Sequence, residues 1–82
     1  MKKYLIKTPL ELKTALRRMR HEQKLTQSEF GRKVGLSQER VSAIENHPER
    51  LTVDQLTTLL MALGMELVIQ SRALEIDTPG KW

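Results

Sequence analysis

Residues 27–46 run Gln27-Ser28-Glu29-Phe30-Gly31-Arg32-Lys33-Val34-Gly35-Leu36-Ser37-Gln38-Glu39-Arg40-Val41-Ser42-Ala43-Ile44-Glu45-Asn46, and this stretch decides the fold. Thr26, just before it, is a side-chain N-cap, and Glu29 stands where a capping box places its carboxylate. A glycine inside a helix costs about 1 kcal/mol against alanine, so Gly31 needs a reason. Close approach of a second helix supplies it, because a larger side chain would hold the two helices apart. Gly35 provides the left-handed residue that ends the first helix and begins the turn. Ser37 caps the second helix, in which Val41 and Ile44 face inward while Gln38, Glu39, Ser42 and Ala43 are left outside. Taken in register, these positions specify two short helices crossing at a steep angle: a helix-turn-helix.

The rest of the chain frames that unit. Eighty-two residues make one domain. A chain of this size buries only roughly 60–65% of its unfolded surface, which leaves it marginal as a monomer. It contains no cysteine, which excludes a disulfide framework, a thiolate metal site and a cysteine nucleophile. The absence fits a reducing cytoplasm. No apolar run approaches the roughly 18 residues of a membrane span, and the apolar run after Lys2 and Lys3 is too short for a signal peptide. A soluble, cytoplasmic protein is expected. Charge is unevenly placed: residues 1–50 carry 12 Lys/Arg against 6 Asp/Glu, whereas residues 51–82 carry 2 against 4. The basic surplus therefore lies with the helix-turn-helix, as a phosphate-facing surface requires.

Along the chain, Thr8-Pro9-Leu10-Glu11 signals a first helix by cap, proline and glutamate. Leu12, Ala15, Leu16 and Met19 form its apolar stripe, and the helix should fray near Lys24. Leu25 packs beneath the next helix. Pro48 marks a loop, Thr52 caps a helix bearing Leu56, Leu59, Leu60 and Leu63, and Gly64 ends it. The expected fold is mostly α, one bundle of four short helices. After it, Met65, Leu67 and Ile69 alternate with Glu66, Val68 and Gln70 in the period of a strand. A lone strand has no stability, so it must pair, either across the two-fold axis of a homodimer or with Tyr4-Leu5-Ile6 of its own chain. The first is the expected arrangement. Residues 1–71 thus form the domain with its dimerisation strand. Residues 72–82 form a flexible tail ending in Trp82, the only tryptophan, which serves either as a partner anchor or as a dispensable end.

Residues 26–46 resemble the helix-turn-helix of lambdoid phage repressors and the wider Xre family. In that family a glutamine opens each helix of the motif, and Gln27 and Gln38 stand eleven residues apart as that pattern requires. The resemblance implies that Gln27 bonds a phosphate and braces Gln38, while Gln38 reads an adenine edge, as a glutamine amide can. It further implies base contacts by Glu39, Ser42 and Ala43, backbone contacts by Lys33, Arg40 and Asn46, and an ion pair between Arg20 and Glu45. The family often has a fifth helix, which is missing here. Thr8-Pro9, residues 25–29 and 44–46, the strand and the terminal Trp82 together resemble HipB-type antitoxins over nearly the whole chain. That likeness implies a homodimer on palindromic operator DNA and a HipA-type serine/threonine kinase toxin as partner, alone or with a further small antitoxin subunit.

Glu39 departs from the family, where a small or amide residue is common. Phosphates repel it, but it can accept from cytosine N4, and Arg40 beside it either pairs with Glu39 or reaches a phosphate. An antitoxin and autorepressor is the leading reading; a plain dimeric Xre repressor without a kinase partner is the alternative. Neither involves a cofactor. His21 and His47 lack carboxylates at ligand spacing, no glycine loop cradles phosphate, and no metal site or catalytic function is expected.

Overall fold

Each helix begins at a hydroxyl side chain. Thr8, Thr26, Ser37 and Thr52 accept from the backbone N–H three residues on, satisfying donors that a helix start leaves unpaired. Thr26 and Thr52 complete reciprocal capping boxes with Glu29 and Gln55. The computed structural model describes residues 2–71 and contains α1 (Pro9–Glu22), α2 (Gln27–Val34), α3 (Gln38–Asn46) and α4 (Val53–Ala62). The loop after α3 is a single 3-10 turn, Pro48–Arg50, with Pro48 buried.

The helix ends follow from backbone sign. Gly35 closes α2 at φ 77° and Gly64 follows α4 at φ 72°. Beyond α4, Gly64 N–H bonds Met61 O at 3.0 Å and Met65 N–H bonds Leu60 O at 2.8 Å, which satisfies carbonyls of the last turn. The first helix stops at Glu22, two residues short of the expected fraying point. It ends in the same way as α4, but with Lys24 in the left-handed conformation at φ 58°. Lys24 N–H bonds His21 O at 2.9 Å and Leu25 N–H bonds Arg20 O at 3.2 Å. A lysine is tolerated there because Leu25 packs against the core and its carbonyl accepts from Arg20 Nη1 at 2.9 Å.

All four helices contribute to one core. Ala15, Leu16 and Met19 meet Phe30, Val41, Ile44, Leu59, Leu60 and Leu63, with Leu12, Leu25, Leu36, Leu51 and Leu56 packed around them. Gly31 lies at the crossing of α2 and α3. A Cβ there would stand 2.4 Å from Leu36 O and 3.3 Å from Val41 Cγ2. The turn carbonyl therefore excludes a side chain before the second helix does.

Tyr4 packs on the core while its hydroxyl donates to Glu22 at 2.8 Å. Lys2 pairs with the same carboxylate. Residues 65–71 leave α4 without regular structure, and no backbone hydrogen bond joins them to residues 4–6 among the described residues. Met65 is half-buried against the core, but Leu67, Val68 and Ile69 are all exposed. The tail from residue 72 and its Trp82 lie outside the described residues. Among those residues, no helix is long and apolar enough to cross a membrane.

Candidate nucleic-acid interface

Successive residues of an α-helix turn about 100°, so the nine residues of α3 can be placed around its axis. Val41, Ile44 and Glu45 are buried on one arc. Gln38, Ser42, Asn46, Glu39 and Ala43 follow one another around the remaining face over about 140°. All are exposed except Ser42, which is half-buried. Arg40 is exposed about 60° beyond Ala43, at the edge of that face. Its backbone N–H is held by Ser37 Oγ at 3.1 Å. Glu39 and Arg40, neighbours of opposite charge, form no ion pair with each other.

Beneath this face lies Glu45, whose side chain is 2% exposed. Its carboxylate accepts from Arg20 Nε at 2.6 Å and Arg20 Nη2 at 3.1 Å, a two-pronged pair tying α1 to α3. Arg20 is itself buried, and no buried polar side-chain atom among the described residues lacks a hydrogen-bond partner. Burying two charges is costly unless they are paired this closely. Glu45 also accepts from Gln27 Nε2 at 3.2 Å, and Gln27 Oε1 accepts from Gln38 Nε2 at 2.7 Å. The buried ion pair thus continues through two amides to the start of α3.

The direction of these bonds has a chemical consequence. A carboxylate only accepts, so Gln27 must turn its NH₂ toward Glu45 and its oxygen toward Gln38. Gln38 must then give one N–H inward. It is left with one N–H and its carbonyl oxygen, an adjacent donor and acceptor at the exposed end of α3. That is the complement of adenine N7 and N6 in a major groove.

The remaining residues take different places. Asn46 Oδ1 accepts from Arg17 Nη2 at 3.0 Å, and Arg17 Nε lies 3.7 Å from Glu45 Oε1. Arg17 carried no signal in the sequence, since its partners lie 28 and 29 residues away and Lys13, Arg18 and Arg20 share the same helix. Lys33 is exposed near the end of α2 and does not join the network. Glu29 is drawn below the ordinary glutamate range by its bond from the Thr26 backbone, the capping contact that starts α2. Among the described residues no group of histidines and carboxylates is placed to hold a metal.

Residues 16–70 match the helix-turn-helix family. The chain is 30% identical to antitoxin HipB of Escherichia coli K12 over 64 residues, covering 78% of this chain and 73% of that protein. It is 28% identical to antitoxin HipB of Escherichia coli O6:H1 strain CFT073, covering 78% and 68% respectively. Its fold superimposes on the complex of a HipB variant with an O2 20mer, with a TM-score of 0.74 at 26% identity, covering 85% of this chain and 97% of that one. It superimposes on the HipB–O4 20mer complex with a TM-score of 0.71 at 28% identity, covering 87% and 97%.

Proposed function

The chain belongs to the helix-turn-helix family and, within it, to the HipB-type antitoxins, whose members are regulators rather than enzymes; from that membership we propose an antitoxin that represses its own operon. It binds palindromic operator DNA as a homodimer and forms a complex with a HipA-type serine/threonine kinase. The single observation that carries the DNA reading is the ordered run from Glu45 through Gln27 to Gln38, which leaves an adenine-complementary pair of groups at the exposed start of α3. HipB relatives solved as complexes with 20mers support it.

In this account Gln38, Glu39, Ser42 and Ala43 face base edges, and Gln27, Lys33, Arg40 and Asn46 position the phosphate backbone. Two copies must present their α3 helices about 34–36 Å apart, one turn of DNA. Residues 65–71 supply the joint: Met65, Leu67 and Ile69 pair with the same segment of the second copy, covering Leu67 and Ile69, which a single chain leaves in water. The tail carries Trp82 to the kinase. It restrains the toxin by binding, sterically or allosterically.

The test is affinity purification of the tagged protein from its native host, with and without Trp82, together with light scattering. A kinase recovered in near-equal amount and a mass of two copies support the proposal. A kinase retained without Trp82 removes the anchor alone. DNA binding with no kinase partner reduces the protein to a plain dimeric repressor.

A further inference from the structure

The far end of the recognition helix is organised by a residue of α1. Asn46, the last residue of α3, has its side-chain oxygen 3.0 Å from Arg17 Nη2. An arginine is donor-only, so this contact dictates the rotation of the amide: oxygen toward Arg17, NH₂ away from it. Arg17 is itself steadied by Glu45, 3.7 Å from its Nε, and its side chain remains 43% exposed. Two sets of unengaged donors therefore stand side by side, the Asn46 NH₂ and the remaining Arg17 N–H groups.

We infer that Arg17 and Asn46 form a phosphate clamp at the C-terminal end of α3, with Arg17 setting the Asn46 amide and supplying the charge. The charge is required by position. The last turn of a helix presents carbonyls and repels an anion, so an asparagine alone is poorly placed to hold phosphate there. A guanidinium offsets that repulsion and adds charge-assisted hydrogen bonds. Glu45 thereby serves both ends of α3: through Gln27 it orients Gln38 at the start, and through Arg17 it orients Asn46 at the finish. The clamp rests on the DNA-binding reading above.

The experiment titrates the full-length protein, Arg17→Gln, Asn46→Ala and the double variant against a random-sequence 20-base-pair duplex over a range of salt concentrations. Thermal melting of each variant runs in parallel. Arg17→Gln is expected to weaken binding about tenfold for each copy, hence about a hundredfold for the dimer, the ratio that two charge-assisted hydrogen bonds command. The slope of log affinity against log salt should fall in size by about 1.8 for the dimer, one phosphate's worth of about 0.9 from each copy. In the Asn46→Ala background the same substitution should cost much less, because the two side chains act as one. Arg17→Lys should restore the slope but not the affinity, since it keeps the charge and loses the forked geometry. A merely structural arginine would lower the melting temperature and leave the slope unchanged, and that result overturns the clamp. Additive losses from the two single variants overturn it as well. If the unsubstituted protein binds no duplex, the clamp and the DNA-binding reading fail together; if it binds and Arg17→Gln binds equally well, the clamp alone fails.

Discussion

Replacing Glu45 with leucine leaves Arg20 charged, buried and deprived of both its short bonds, at 2.6 and 3.1 Å. Breaking a buried pair from one side costs about 3–5 kcal/mol, mostly the penalty of the charge left behind. The whole domain is worth about 4–12 kcal/mol at the usual stability per residue. One substitution therefore removes a quarter or more of it, and for a domain of this size lowers Tm by about 12 °C or more. The bond from Gln27 adds little to that loss, since its half-exposed amide regains water. Arg20→Met alone should cost a similar amount, leaving Glu45 buried with only the more distant Arg17 and Gln27. The double variant Arg20→Met/Glu45→Leu should recover to within about 2 kcal/mol of the original protein, because two apolar side chains replace two mutually dependent charges. Its residual cost is the Leu25 carbonyl, which loses its 2.9 Å bond from Arg20. Urea denaturation of all four proteins at one protein concentration gives the coupling energy. A loss below about 1 kcal/mol for Glu45→Leu, or single losses that simply add, would refute the reasoning.

Gly31→Ala places a Cβ 2.4 Å from Leu36 O, and prying the turn from α2 should cost at least about 2 kcal/mol in the same denaturation assay. Lys24→Gly relieves a left-handed side-chain residue at φ 58°, and the unfolded chain's added freedom offsets part of the gain; a net stabilisation of up to about 1 kcal/mol is expected. The Glu29 carboxyl is held below its ordinary range, first by the Thr26 backbone bond, and Glu22 is likewise held down by its bonds from Lys2 and Tyr4. A carboxylate depressed by folding stabilises above its unfolded value, near pH 4.3, and that contribution is lost as pH falls through the lower folded value. Acid melting curves should therefore decline below about pH 4.3, and Glu29→Gln should flatten the decline while retaining most of the cap.

The helix starts and two of the helix ends were legible because they depend on neighbours in sequence. Thr8, Thr26, Ser37 and Thr52 reach donors three residues away, and Gly35 and Gly64 announce a positive φ by lacking a side chain. Lys24 gives no such sign. Its conformation is imposed from outside, by the burial of Leu25 and the grip of Arg20 on the Leu25 carbonyl. Gly31 was legible as a close approach, but its nearest obstacle is a carbonyl of the turn, which no side-chain pattern encodes. Gln27 and Gln38 could be picked out by their spacing. The direction of their bond could not, since it is dictated by Glu45, 18 residues from Gln27 and selected by the fold. Arg17 was hidden for a similar reason: an arginine on a basic helix face reads as solvated until Asn46 is brought beside it. The alternation at residues 65–71 is plain in the sequence, but a single chain offers it no partner strand among the described residues.

The central claim is that the exposed face of α3 reads DNA sequence, with Gln38 at its start. The most direct measurement is selection from a library of random duplexes by the unsubstituted protein and by Gln38→Ala, followed by sequencing of the bound fraction. An inverted repeat with half-site centres about 10 base pairs apart is expected, containing one adenine per half-site whose preference is lost in Gln38→Ala at a cost of about 1–3 kcal/mol. Enrichment of no sequence, or of the same sequence with undiminished adenine preference by both proteins, would contradict it.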